Sequence, residues 1–169
     1  MAPLREALTK AGLKSVETYI QSGNVIASSN LTPAEIESLV HEVMRKNFGA
    51  DIVVLARTPA HFSKILKQNP FKNMEGKKLY FSLLATELDK KLLQNFLSFD
   101  FSPDKIKYAN NTIYTLYATK HSDSKFNNNY FERKLKITAT TRNLNTMTRL
   151  VALSAAQQKA TADTKKPRD

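Results

Sequence analysis

Cysteine is absent from this 169-residue chain, which excludes a disulfide framework and thiol chemistry and fits a reducing compartment. Glycine is nearly as scarce. Its four copies, Gly12, Gly23, Gly49 and Gly76, are scattered, so no glycine-rich phosphate loop exists. The three histidines, His41, His61 and His121, stand too far apart to read as a metal site, and His41-Glu42 lacks the second histidine of a zinc helix. Neither a metal nor a cofactor is expected. No Gly-x-Ser-x-Gly elbow is present. No window approaches the roughly 20 apolar residues of a membrane span, and Met1 is followed by Pro3, Arg5 and Glu6 in place of an apolar signal region. These absences point to a soluble, cytoplasmic protein without a membrane partner. They name no substrate, and no matched acid, base and nucleophile emerges, so an enzyme of unrecognised type stays an open class.

Positive charge is abundant, with 26 Lys and Arg against 15 Asp and Glu for a formal +11. Residues 1–58 are balanced, while residues 59–110 carry +4 and residues 111–169 carry +7. A basic C-terminal half attracts polyanions such as nucleic acid. The plainer reading is that lysines on solvated helix faces keep the chain soluble. Hydrophobic residues make up 41% of the chain, enough for a core of one domain or two small ones.

Pro3 suits the first turn of a helix with Leu4, Leu8 and Ala11 on one stripe, and Gly12 supplies a left-handed stop. From Val16 to Ser28 the β-branched and aromatic residues Val16, Thr18, Tyr19, Ile20, Val25 and Ile26 read as extended structure, broken at Ser22-Gly23-Asn24 by a hairpin turn or a bulge. Thr32, Pro33 and Glu35 form the clearest helix start, ahead of the stripe Ile36, Leu39, Val40, Val43 and Met44, with an end near Gly49. Ile52 to Leu55 fits a short buried strand. Thr58-Pro59 opens another helix, with Phe62, Ile65 and Leu66 inward and Asn69-Pro70 as its end. A strand over Leu79 to Ala85 and a helix over Glu87 to Leu97 follow. Lys105 to Tyr108 and Thr112 to Ala118 then flank Asn110-Asn111, a two-residue hairpin signal. A weak helix spans Tyr130 to Leu135, and a last helix starts near Asn143 with Leu144, Met147, Leu150 and Val151 on one face. The polar residues from Gln157 onward read as a disordered tail. The class is α+β, a mixed sheet with packed helices. The expected organisation is an N-terminal half over 1–58, a C-terminal half over 59–156 and a tail over 157–169.

Two polar clusters can bind something. In Thr18-Tyr19-Ile20-Gln21-Ser22-Gly23-Asn24, uncharged hydrogen-bonding side chains crowd a strand at a glycine, where a ligand or another backbone can approach. The structural alternative is that Ser22 and Asn24 merely satisfy the turn. In Thr140-Thr141-Arg142-Asn143-Leu144-Asn145-Thr146, a helix start offers free N–H groups, and Arg142 adds a bidentate grip on phosphate or carboxylate. Capping alone explains the Thr and Asn residues; it does not explain Arg142. Tyr114 and Tyr117 are three apart and cannot share a strand face. Tyr80, Tyr108 and Tyr114 remain for base stacking beside basic residues.

At these clusters the sequence resembles an uncharacterised bacterial family, the domain of unknown function family 1697 (DUF1697). The resemblance rests on Val16-Glu17-Thr18-Tyr19-Ile20-Gln21-Ser22-Gly23-Asn24-Val25, on Asn69-Pro70-Phe71, and on Thr141-Arg142-Asn143-Leu144-Asn145-Thr146 followed by Leu150. Order and spacing agree up to about Leu153. The resemblance implies two ferredoxin-like α+β halves and implies no known activity. Members of the family begin with a further strand and a loop of the pattern Arg-Gly-Ile-Asn-Val-Gly-Gly before the first helix. Here Met1 aligns with a methionine at that helix's start, so a misplaced start or a truncation is expected. A sheet that lacks an internal strand exposes an edge, and self-association through it is expected, relieved by restoring the strand.

The leading expectation is a module that binds a small anionic or phosphorylated ligand between Tyr19, Gln21, Ser22 and Asn24 on one side and Arg142, Asn143 and Asn145 on the other. The alternative is nucleic-acid binding through Lys120, Lys125, Arg133, Lys134 and Lys136, with an affinity that falls steeply with salt.

Overall fold

The computed structural model describes residues 1–21, 23–71 and 78–163. Two compact units emerge, one formed by Met1–Pro59 with the chain from Arg149 onward and the other by Ala60–Thr148.

The first unit opens with helix α1 (Ala2–Lys10), which carries its proline in the first turn. Gly12, at φ +103, turns the chain into strand β1 (Lys14–Tyr19). Strand β2 (Asn24–Ser28) returns antiparallel, so the break in the β-forming run is a hairpin, with an added register shift between Lys14 and Glu17. Helix α2 (Pro33–Phe48) has the full capping box. Thr32 Oγ1 accepts the Glu35 amide at 3.3 Å, and Glu35 Oε2 accepts the Thr32 amide at 2.7 Å. Gly49 closes the helix at φ +64. Leu8, Leu13 and Val43 form the core here, with Leu4, Val16, Val25 and Leu39 packed around them. Ile52 to Leu55 is a correction: it belongs to no helix or ladder, and Ile52 and Val53 are exposed. A β-forming run becomes a strand only where a neighbouring edge supplies hydrogen bonds.

The second unit begins with helix α3 (Pro59–Lys67), whose Ile65 is fully buried. Its sheet holds β3 (Leu79–Leu84), β4 (Lys105–Ala109), β5 (Thr112–Leu116) and β6 (Ala139–Asn143). Their order is β4-β5-β3-β6, and every described pairing is antiparallel where the alternation of elements suggested a mixed sheet. Helices α4 (Lys90–Leu97) and α5 (Asn128–Leu135) complete the order strand, helix, strand, strand, helix, strand of a ferredoxin-like unit. Asn110 and Asn111 both take φ +51, as a tight two-residue hairpin between twisted strands requires. Helix α4 starts three residues later than its apolar pattern suggests, because Asp89 accepts the Leu92 amide at 2.9 Å and caps it. Helix α5 starts two residues earlier than expected, since the Asn127 side chain accepts the Tyr130 amide at 3.1 Å.

One face of this sheet presents Leu84, Ile113 and Ala139 to Phe96, Phe101, Phe126, Phe131 and Leu135. On the other, the rings of Phe81 and Tyr114 meet edge to face, and the Tyr114 hydroxyl donates to the Ile65 carbonyl at 3.2 Å. Both faces of the central strands are therefore closed.

Helix α6 (Leu144–Asp163) runs past the point where a disordered tail was expected. Its Gln157 side chain accepts the Ser28 hydroxyl at 3.2 Å and donates to the Ser15 carbonyl, which holds that part of the helix against the hairpin. Polar composition misled here, because hydrogen bonds do the anchoring that apolar contacts usually do. Residues 164–169 lie outside the described residues. No helix among those described is long and apolar enough to cross a membrane.

Candidate functional site

The sequence suggests the start of the last helix at Thr140–Thr146; the chain instead forms strand β6 there, and its pairing with β3 decides where Arg142 goes. Among the described residues it is an edge strand, with β3 as its one ladder neighbour in the sheet. Arg142 stands opposite Phe81, and Thr141 stands opposite Ser82. Side chains alternate along a strand. Thr140 and Arg142 therefore share the Phe81 face, while Thr141 and Asn143 share the Ser82 face. Arg142 Nη1 donates to Thr140 Oγ1 at 2.8 Å and to the Thr141 carbonyl at 2.9 Å. Both acceptors are neutral oxygens, and together they fix the orientation of the guanidinium. Burial lowers the pKa of Arg142 below the usual arginine value, because desolvation disfavours the charged form. An arginine nonetheless stays protonated at any physiological pH.

The neighbours of Arg142 serve the fold. Asn143 Oδ1 accepts the Thr146 amide at 2.8 Å and starts α6, the capping role its position suggested. Thr141 Oγ1 donates to Asn128 Oδ1 at 2.8 Å and lies 2.7 Å from Ser82 Oγ, tying β6 to α5 and β3. Asn145 is exposed on the first turn of α6.

The other cluster lies in the first unit, at the tip of the β1–β2 hairpin. Asn24 is buried, and its Nδ2 donates to the Tyr19 carbonyl at 3.1 Å across the turn. Tyr19 is half-buried and Gln21 exposed; Ser22 lies outside the described residues. Ile20 takes φ +52, a left-handed conformation that costs a β-branched residue strain. The seven expected ligand-binding residues thus divide between two units.

The aromatic expectation fails in detail. Tyr114 is wholly buried, and no base can stack on it. Tyr108 donates its hydroxyl to Asn111 Oδ1 at 3.2 Å. Tyr80 stacks on His121, with centroids 4.5 Å apart and planes at 11°, and Tyr117 meets both rings edge-on. Nothing in the sequence linked these three, because a short 3₁₀ turn at His121–Asp123 brings the histidine back. In this cluster Tyr117 donates to the Phe126 carbonyl at 2.6 Å. Its pKa is raised, first by burial and then by nearby Asp104.

All five residues of the nucleic-acid alternative are exposed. Lys120 and Lys125 sit in the segment before α5, and Lys125 Nζ lies 5.1 Å from the centre of the Phe126 ring. Arg133 and Lys134 occupy the last turn of α5 and Lys136 caps it, where positive charge suits the helix dipole without any ligand. Among the described residues no three His, Asp or Glu side chains gather as a metal centre would require.

A family model described as "Protein of unknown function (DUF1697)" matches residues 1–114. Arg142 and its neighbours lie beyond that stretch. The solved structure of conserved bacterial protein SP0830 from Streptococcus pneumoniae is similar to this chain with a TM-score of 0.68 at 21% identity. The likeness covers 91% of this chain and 88% of that one, and it shows the fold. No curated protein matches the chain.

Proposed function

Because the chain belongs to the DUF1697 family of proteins of unknown function, its activity has to be read from its own side chains, and we propose a module that binds a small anionic or phosphorylated ligand at Arg142. One observation carries this reading: a half-buried guanidinium is fixed in place by the neutral oxygens of Thr140 and Thr141. Orienting the cation in advance removes much of the entropic cost of gripping an oxyanion. Partial burial strengthens the attraction, because water screens it less. A planar guanidinium also matches two oxygens of a phosphate or carboxylate at once, as an ammonium does not.

Isothermal titration of the full chain with inorganic phosphate, nucleotides and sugar phosphates tests this. One class of ligand is expected to give saturable heat that Arg142→Ala abolishes and Arg142→Lys weakens at least about tenfold, or about 1.4 kcal/mol. Identical heats for wild type and Arg142→Ala overturn it. Binding to single-stranded DNA that survives Arg142→Ala and falls steeply with salt would favour the basic surface of Lys120, Lys125, Arg133, Lys134 and Lys136 instead.

A further inference from the structure

In the second unit, the large apolar side chains left exposed among the described residues are Leu97, at 41%, and Phe99, at 49%. They stand two residues apart where α4 ends. The turn between them is fixed, since the Phe99 amide donates to the Phe96 carbonyl at 3.2 Å and Ser98 Oγ donates to the Asn95 carbonyl at 2.9 Å. The Phe99 ring meets Phe101 and Phe126 edge to face, with centroids 5.2 and 6.2 Å away, so the core braces one part of it. Lys125 Nζ lies over that same Phe126 ring, which puts a cation beside the apolar tip. The one acid in the tip, Asp100, accepts the Ser102 amide at 2.9 Å within its own loop.

Positive charge continues from this tip along both helices. Leu92 and Phe96 of α4, like Phe131 and Leu135 of α5, pack into the core against the sheet. Lys90, Gln94 and Leu97 recur at helical spacing on the exposed face of α4, and Asn129 and Arg133 do so on α5. Residues 89–100 and 120–136 together hold seven lysines and arginines against four acids. None of those seven bases is in an ion pair with a described acid.

We infer that this helical face docks on an anionic lipid bilayer, with Leu97 and Phe99 entering the boundary between headgroups and acyl chains and the bases meeting the headgroups. Two features select a bilayer among polyanionic partners. Leu97 is aliphatic and offers no flat ring to a base, whereas acyl chains accept it and Phe99 alike. The cations are spread over two helices, and mobile headgroups reach scattered charges without a matching shape. Such a contact needs no spanning helix; the expectation of no membrane partner rests on the absence of a span and of an apolar leader. The two helices cover the face of the sheet opposite to that of Arg142, so the inference is independent of the Arg142 site.

Co-sedimentation of the full chain with sucrose-loaded vesicles tests it, using phosphatidylcholine alone and phosphatidylcholine with about a third of phosphatidylglycerol. Binding is expected on the anionic vesicles only, and it should weaken as salt rises. Leu97→Ser and Phe99→Ser are each expected to weaken it about tenfold, and Lys125→Gln about fivefold. The chain has no tryptophan, so Phe99→Trp supplies a single reporter. Its emission should move to the blue on anionic vesicles and be quenched by brominated acyl chains. Circular dichroism identifies any variant that has lost its fold, and Leu97→Ser, which leaves the aromatic cluster intact, then stands for Phe99→Ser. No binding to anionic vesicles overturns the inference. So does binding that survives both serine variants or is equal on neutral vesicles, and so does Phe99→Trp emission that responds to oligothymidylate and not to vesicles.

Discussion

Ile20 is the residue whose backbone and side chain disagree most. It sits in the left-handed region at φ +52, a β-branched side chain where Gly or Asn is at ease, and it is 47% exposed, so no core contact compensates it. Ile20→Asn is therefore expected to stabilise the protein by roughly 1 kcal/mol, read as a higher denaturant midpoint at unchanged slope. An unchanged or lower midpoint would mean that packing by Ile20 outweighs its strain. Asn24 and Asn143 behave differently. Both were candidate ligand contacts in the sequence, and each spends a side-chain hydrogen bond on local geometry, across the hairpin turn and at the start of α6. Composition alone could not separate those roles, because a small polar side chain beside a turn suits a ligand and a cap equally well. Arg142 was separable for the opposite reason: neither a turn nor a cap calls for a guanidinium.

Helix α2 shows what an element owes to its first turn. Hydrogen bonds from the Thr32 backbone amide, and secondly from its side chain, hold the Glu35 carboxyl below the usual carboxylate range. A lowered folded-state pKa means that this contribution is present above the unfolded value and lost as pH falls through the folded one. Carboxyl-carbon NMR shifts should place the Glu35 midpoint below those of unpaired glutamates, and Thr32→Ala, which removes the hydroxyl donor and keeps the backbone amide, should raise it part of the way toward them. The lost cap is expected to cost about 1 kcal/mol. A wild-type Glu35 midpoint equal to that of unpaired glutamates would show that the box is not formed in solution. This helix was legible in the sequence because its signals are local, as were the stop at Gly12 and the Asn110-Asn111 hairpin. The elements that were misread depend on partners far along the chain. Strand β6 exists because β3 offers an edge to Thr140, Thr141 and Arg142. The far part of α6 is anchored by Gln157 on Ser15 and Ser28. Ile52–Leu55 has every local mark of a strand and no ladder to join. Propensity describes what a segment tolerates, whereas pairing depends on what stands beside it.

At the scale of the whole molecule, the second unit's stability rests on phenols kept neutral. Burial raises the pKa of Tyr114, and burial followed by Asp104 raises that of Tyr117 further. Each donates its hydroxyl proton to a backbone carbonyl, Tyr114 to Ile65 and Tyr117 to Phe126, so ionisation would set a buried phenolate against an oxygen. The unfolded chain has no such constraint, and its tyrosines ionise near pH 10. Above that pH the folded state holds more protons than the unfolded one, so stability falls as pH rises and is intact below it. An alkaline titration followed by tyrosinate absorbance should show an earlier phase from the half-buried tyrosines. A delayed, cooperative phase should coincide with loss of far-ultraviolet circular dichroism. Tyr117→Phe removes the ionisable group and is expected to move that transition to higher pH. It also leaves the Phe126 carbonyl unpaired, which lowers stability near neutrality by about 1–3 kcal/mol. The two effects have opposite signs at the two pH values, which separates titration from packing. If Tyr117→Phe lowers the alkaline midpoint as well, the lost hydrogen bond governs at both ends, and neutral phenols are not what limits the fold in base.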